Sequence, residues 1–261
     1  MQTESAEGSA QNGPLPRAEA EAQRLTMAAR EQGITAALVG GIAVYLRCQS
    51  ASRPPLQRDY KDIDLVTTKT MSRRLTQLLT SHGHEPDKRF NALHGGQRLF
   101  FWDEQHGRQL DVFIDDFEMC HRFDLTRRLA IDPTAPTLPL ADLVLTKMQV
   151  VEMNLKDMKD LAALLQDQPL TQNEEGINLE YITQLTHNDW GLQHTLEGTI
   201  TKVRQADPAE VTAEAARYPL RDQLDALDRA MQDAPKSRGW KLRSKVGERV
   251  RWYELPEEAR A

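Results

Sequence analysis

Cysteine is almost absent from this 261-residue sequence: Cys48 and Cys120 are the only two, far apart and without CxxC or CxxH spacing. That excludes a disulfide framework and a structural zinc site and leaves two reduced, partly buried thiols. Long apolar runs are missing as well. No stretch approaches the roughly 20 apolar residues that span a bilayer, and the N-terminus is polar and acidic rather than a charged-then-apolar signal peptide. The chain is therefore expected in the cytoplasm, with no membrane partner. Positive charge is not in excess either: the formal net charge of −6 argues against wholesale coating of nucleic acid. Nor is there a repeat of fixed period, which excludes solenoids and propellers.

What remains is a globular composition, 39% hydrophobic and 28% charged, in a chain longer than one typical domain. Residues 1–16 are small, polar and rich in Gly and Pro, and too little of that stretch can be buried to offset its ordering entropy, which predicts a disordered tail. RAEAEAQRLTMAAREQG then carries strong helix formers and Gly33 as a stop. ITAALVGG reads as a strand ending in a tight turn, and IAVYLRC resumes a helical pattern. KDIDLVT alternates as a strand does, TMSRRLTQLLTSHG is helical, and GQRLFFWD and RQLDVFID form a hairpin across EQHG. From Pro139 onward the apolar period is helical throughout. The expected fold is α+β, a mixed sheet flanked by helices followed by an all-helical C-terminal domain. Expected boundaries are 17–135 for the catalytic domain, 136–234 for the helical domain and 235–261 for a basic C-terminal tail.

Chemistry is concentrated in three acids. Strand residues two apart share a face, so Asp62 and Asp64 would project both carboxylates to one side. Neighbouring carboxylates repel, and solvent or a cation must stabilise them. Asp111, inside the apolar strand QLDVF, can join them if its strand lies alongside. Hard oxygen ligands of this kind suit magnesium, which also takes substrate phosphate oxygens. Gly40 and Gly41, between a strand and a helix, let backbone approach a phosphate at a helix N-terminus. A Gly-Gly turn or an acid-x-acid pair alone is equally an ordinary turn or a solvated strand edge. Their joint order, strand, Gly-Gly, helix, acid-x-acid strand and a later strand with a lone Asp, is what carries meaning.

In that order the residues resemble the polymerase-beta type of nucleotidyltransferase, and within it the AbiEii-like and MenT-like toxin nucleotidyltransferases, through LVGGIAVYL, RDYKDIDLV and LDVFID. The resemblance covers roughly residues 20–168, because LPLADLVLTKMQ followed by NLKDMKDLAALL is similar to the family's later helix with its Lys and Lys-Asp-x-x-Asp pattern. Two departures stand out. Gly40-Gly41 replaces the common Gly-Ser, leaving no serine hydroxyl for a phosphate, and Asn154 replaces an Arg ahead of the Lys-Asp pair.

The resemblance implies that Asp62, Asp64 and Asp111 hold two magnesium ions, or manganese in their place, with Asp111 also the candidate base. Gly40 and Gly41 would contact triphosphate, Lys147 and Lys156 would face phosphate or base, and Asp157 and Asp160 would orient groups at the rear. Without it, the Lys-Asp-x-x-Asp stretch reads as a solvated helix face with Lys156 pairing to Asp160. The implied reaction is transfer of an NMP from an NTP to a hydroxyl, on tRNA or another RNA in a toxin-like role that implies an antitoxin partner. Small-molecule, antibiotic-type transfer and a catalytically degenerate nucleotide-binding module remain as alternatives.

Weaker signals complete the reading. His82, His84, His94 and His106 lack zinc spacing and read as surface or loop residues. HGGQR is either a border of the nucleotide pocket or a plain glycine turn. The Cys120-His121 neighbours would face opposite ways on a strand, against a thiol nucleophile. Asp189 is placed to cap a helix and Trp190 to anchor a core. Between Lys236 and Arg251 seven basic residues face the single acid Glu248, with Trp240, Trp252 and Tyr253 nearby, which is either an RNA-binding surface or a solvated tail.

Overall fold

The computed structural model describes residues 13–255. Most of the expected N-terminal tail, 1–12, and the last six residues lie outside the described residues. Pro14, just within them, is buried, and the Leu15 N–H donates to Glu21 at 2.9 Å.

Helix α1 (Ala18–Glu31) leads into strand β1 (Ala36–Val39) and helix α2 (Gly40–Arg47). A loop then reaches β2 (Ile63–Thr67), α3 (Lys69–Ser81), the short β3 (Glu85–Pro86) and α4 (Lys88–His94). Strands β4 (Arg98–Asp103) and β5 (Arg108–Ile114) form the expected hairpin, closed by Asp103 opposite Arg108. A second small hairpin, β6 (Asp116–Glu118) and β7 (Arg122–Asp124), follows.

The five-stranded sheet has the order β1-β2-β5-β4-β3, with β2 and β5 parallel and every other neighbour antiparallel. This is the mixed sheet flanked by helices that the sequence implied. Its two central strands, Ile-Asp-Leu-Val-Thr and Arg-Gln-Leu-Asp-Val-Phe-Ile, are buried on both faces except at Asp64 and Gln109, which are half-buried. At the β1 edge residues 136–138 run alongside: the Leu38 N–H donates to Pro136 O at 2.8 Å and the Leu138 N–H to Leu38 O at 3.0 Å. That pairing covers an edge which would otherwise present free backbone groups.

Beyond it lie α5 (Leu140–Met148), α6 (Leu155–Asp167), a two-residue parallel pair β8 (Leu170–Thr171) and β9 (Ile177–Asn178), α7 (Leu179–Asn188), α8 (Trp190–Gln205), the one-turn α9 (Pro208–Val211), α10 (Leu220–Asp233) and α11 (Arg238–Val246). The small β8–β9 pair and α4 are elements that periodicity did not predict. Asn154, Asn178, Asp189 and Ser237 cap their helices by accepting a backbone N–H, Asp189 as expected. Asn154, where the family pattern has Arg, thus has a local task at the start of α6.

Helix α2 packs on β1 and β2 and also on α5 and α6, so one continuous core runs from the sheet into the helices. Helix α11 lies on α7 and α8 within the stretch expected as a basic tail, tied by the Ser237 N–H to His187 O at 3.1 Å and by Trp252 Nε1 to Thr195 Oγ1 at 3.0 Å. Among the described residues no helix is long and apolar enough to cross a membrane.

Candidate active site

Two of the three acids meet because β2 and β5 are parallel neighbours: Asp64 and Asp111 are register partners. Asp111 is buried and Asp64 half-buried. Asp62 lies one residue ahead of β2 and is exposed, at the margin of the pair rather than inside the strand. Burial pushes the Asp64 carboxyl up to about 7; the Asp111 charge adds to this and Lys147 opposes it, with Asp62 a further repulsive neighbour. Asp111 is also raised by burial, against the pull of Arg98, whose Nε donates to its Oδ1 at 2.7 Å.

Gly40 opens the site in a way its sequence position did not reveal. It begins α2 with φ 72°, and a Cβ built on it would fall on Oδ2 of Asp64 and 3.1 Å from Cγ. The glycine lets the Asp64 carboxylate, as well as any phosphate, lie against backbone. At Gly41 the space is taken by Arg58, whose Nη2 occupies the place of a Cβ.

Behind these residues stands a charge network on α5 and α6. Lys147, buried in the last turn of α5, reaches Asp160 at 2.8 Å and Asp157 at 3.2 Å. Arg58 grips Asp160 side-on, Nε to Oδ1 at 2.8 Å and Nη2 to Oδ2 at 2.7 Å. Burial alone would lower the Lys147 pKa and raise that of Asp160. The charges of Asp160 and Asp157 together outweigh burial at Lys147, and those of Lys147 and Arg58 together outweigh it at Asp160, so Lys147 is shifted up and Asp160 down.

Lys156 behaves differently. It is exposed on α6 and forms no ion pair among the described residues, so neither the network nor the i,i+4 pairing with Asp160 includes it. Arg58 is the residue that sequence reasoning missed, whereas Arg98 ends the HGGQR stretch, read as either a border of the nucleotide pocket or a plain turn, and reaches Asp111. Arg98 had a readable signal: the hairpin register that puts 103 opposite 108 puts 98 diagonal to 111 on one face. Arg58 lies 102 positions from Asp160, and no local pattern announces that pair.

A divalent cation would meet carboxylate oxygens here but no finished cage. Among the described residues no three or more His, Cys, Asp or Glu side chains form a ready-made group for a metal ion. The structure holds a carboxylate pair with a third acid at its margin, and Asp64 carries repulsion that the nearby cations leave uncancelled. Hard oxygens with unrelieved negative charge fit magnesium or manganese.

The histidines and cysteines lie elsewhere. His84 lies in the loop between α3 and β3, as one of the expected alternatives had it, but is buried there, with its Nε2 2.7 Å from Glu21. His106 pairs with Asp103 at 2.9 Å, His94 lies tilted against Phe90 and His82 bonds Leu78 O, so the four do not converge. Gly95, in the HGGQR stretch, caps the C-terminus of α4. Cys120 is buried and accepts the Val151 N–H at 3.5 Å.

No family model and no curated protein matches this chain. Among solved structures it is similar to JHP933 from Helicobacter pylori, at 12% identity over 87% of this chain and 93% of that one, with a TM-score of 0.36. It is also similar to the STING-associated CdnE c-di-GMP synthase from Capnocytophaga granulosa, at 15% identity over 85% and 83% of the two chains, with a TM-score of 0.26. Neither likeness is close enough to transfer a residue's role.

Proposed function

We propose that the chain is a divalent-metal-dependent nucleotidyltransferase that moves an NMP from an NTP to a hydroxyl of an RNA. The observation that carries this reading is the in-register pairing of Asp64 with Asp111 beside the Gly40 start of α2. Two acids held together against their own repulsion favour an enzyme over a degenerate binding module.

Asp64 and Asp111, with Asp62 at the margin, would hold magnesium, which supplies charge neutralisation for the departing pyrophosphate and activation of the attacking hydroxyl. Arg98 fixes Asp111 through Oδ1 and leaves Oδ2 to receive the hydroxyl proton. The first turn of α2 offers backbone N–H groups to the triphosphate. Lys147, kept protonated by Asp160 and Asp157, supplies a fixed positive charge near Asp64. A bond forms from the acceptor oxygen to the α-phosphorus, and the bond from that phosphorus to the bridging oxygen breaks.

RNA is preferred as acceptor because of α11. Arg238, Lys241 and Lys245 lie at helical spacing on one side of that helix, exposed and without ion-pair partners among the described residues, and Arg249 is exposed in the turn that follows. Trp190 and Trp252 stand beside it, half-buried. Cations with neighbouring aromatics suit a nucleic acid backbone and its bases.

Purified protein incubated with magnesium, total tRNA and each labelled NTP in turn should label the RNA with at least one nucleotide, and EDTA should stop it. Label on none of the four would remove the assignment; label only on an added small alcohol or aminoglycoside would move the acceptor to small molecules.

A further inference from the structure

Residue 41 has no side chain, yet its place is filled. A Cβ built there would fall on Nη2 of Arg58, 2.9 Å from its Cζ and 3.0 Å from Cε1 of Tyr60. The guanidinium is fixed on two sides. Asp160 takes Nε and Nη2 at 2.8 and 2.7 Å, and the Tyr60 ring lies with its centroid 4.3 Å from Cζ. Asp160 is itself held by Lys147 at 2.8 Å, so the arginine is anchored to a carboxylate that does not move freely.

A guanidinium has five N–H donors in one plane. Two go to Asp160 and one Nη1 hydrogen goes to Asp59 O at 3.2 Å, which leaves two. Those two belong to a group lying against Gly41, in the first turn of α2, where a helix leaves backbone N–H groups without intrahelical partners. Asp64 lies against the adjacent Gly40. A rigid fork with spare donors, beside free amides and one residue from the acid pair, is built for phosphate oxygens.

We propose that Arg58 is a substrate-binding residue that takes the triphosphate of the NTP, and that Gly41 lacks a side chain so that this guanidinium can lie across it. This rests on the nucleotidyl-transfer reading and names the part of the nucleotide that the wall formed by residues 40, 41 and 58 recognises. The distal phosphates are gripped here; the base and sugar are not.

The test is equilibrium binding without acceptor, by calorimetry in magnesium, using α,β-methylene NTP, the corresponding NDP analogue and NMP as probes. Arg58→Ala should weaken the triphosphate analogue about 10- to 100-fold, the loss expected for charged hydrogen bonds, and leave NMP within about threefold. Arg58→Lys keeps the charge and a partner for Asp160 but not the fork, and should weaken the triphosphate with its Tm unchanged; it also serves if Arg58→Ala fails to fold. Gly41→Ser should displace the guanidinium and weaken the triphosphate too, and the double variant Gly41→Ser/Arg58→Ala should lose no more than Arg58→Ala alone. Wild-type affinity for the triphosphate in a folded Arg58 variant, or equal losses for NTP and NMP, would overturn the role of Arg58 alone. Wild-type protein that binds no nucleotide would overturn the transfer reading with it.

Discussion

At Asp64 a carboxylate is held beside a second one and against the backbone of Gly40, an arrangement that costs stability in the absence of a cation. An acid whose folded pKa is raised to about 7 favours its proton in the folded state, so the penalty appears above its ordinary 3.8 and grows toward neutrality. Asp64→Asn keeps the shape and removes the charge. It should lower transfer at least about 100-fold, the scale of losing a main electrostatic stabiliser, while metal-free protein at pH 7 becomes up to about 2 kcal/mol more stable by urea titration. A variant with full transferase activity would remove Asp64 from the site. Gly40→Ala makes a second residue-scale test. Its left-handed φ costs about 1–2 kcal/mol in any L-residue, and the new Cβ also collides with Asp64. Gly33, with φ 62° and nothing within 4 Å of a Cβ, provides the control. Gly33→Ala should lose stability of about 1 kcal/mol with activity intact, and Gly40→Ala should lose both.

Among the elements, α1 is tied to the chain around it through one acid. Glu21 accepts from Leu15 N–H at 2.9 Å, from Arg24 at 2.8 and 2.7 Å, and meets His84 at 2.7 Å, so it joins residues before α1 to the connection between α3 and β3. Burial alone would raise this carboxyl; the bonds from His84, Arg24 and Leu15 win and hold it at about 2. A depressed folded pKa gives stability that is present above the ordinary 4.5 and lost as pH falls from there toward about 2. The urea midpoint of the wild type should fall across that window more steeply than that of Glu21→Gln. At pH 7 that variant should cost about 1–3 kcal/mol, because buried donors lose their acceptor. Helix α1 itself was readable from propensity and the Gly33 stop. The pairing with His84 was not, since 63 residues separate the partners. Helix α4 escaped for a different reason: its seven residues, KRFNALH, bury none of their side chains fully and leave no apolar stripe to read.

At the scale of the whole molecule, α11 places exposed positive charge on a chain of net −6. Its inner face is committed to α7 and α8, with Arg243 4.7 Å from the Trp190 ring centroid, and Trp252 of the segment after it is bonded to Thr195. The charges outside are free to be changed without disturbing that packing. Lys241→Glu/Lys245→Glu should leave Tm within about 1 °C, a surface effect below about 0.5 kcal/mol. The same pair should weaken RNA binding and reduce the slope of log K against log salt by about 2, one for each phosphate that no longer meets a lysine. An unchanged slope in a filter-binding titration would take the RNA away from this helix.

The sequence alone determined the long helices, the main strands and their chemistry. Apolar period drew the strands and the long helices, the EQHG turn set the hairpin register, and residue types named oxygen ligands, a glycine turn and a lysine on a later helix. These are properties of neighbours along the chain, where a side chain's direction follows from its position in a strand or helix. Only the tertiary structure decided which of them meet. Parallel pairing of β2 with β5 put Asp64 beside Asp111 and left Asp62 at the margin; the packing of α6 on α2 brought Asp160 to Arg58 and left Lys156 facing outward. Strand order and helix docking are set by the burial of whole apolar faces. A charged residue inherits its partners from that packing, and no spacing between charges along the chain encodes them.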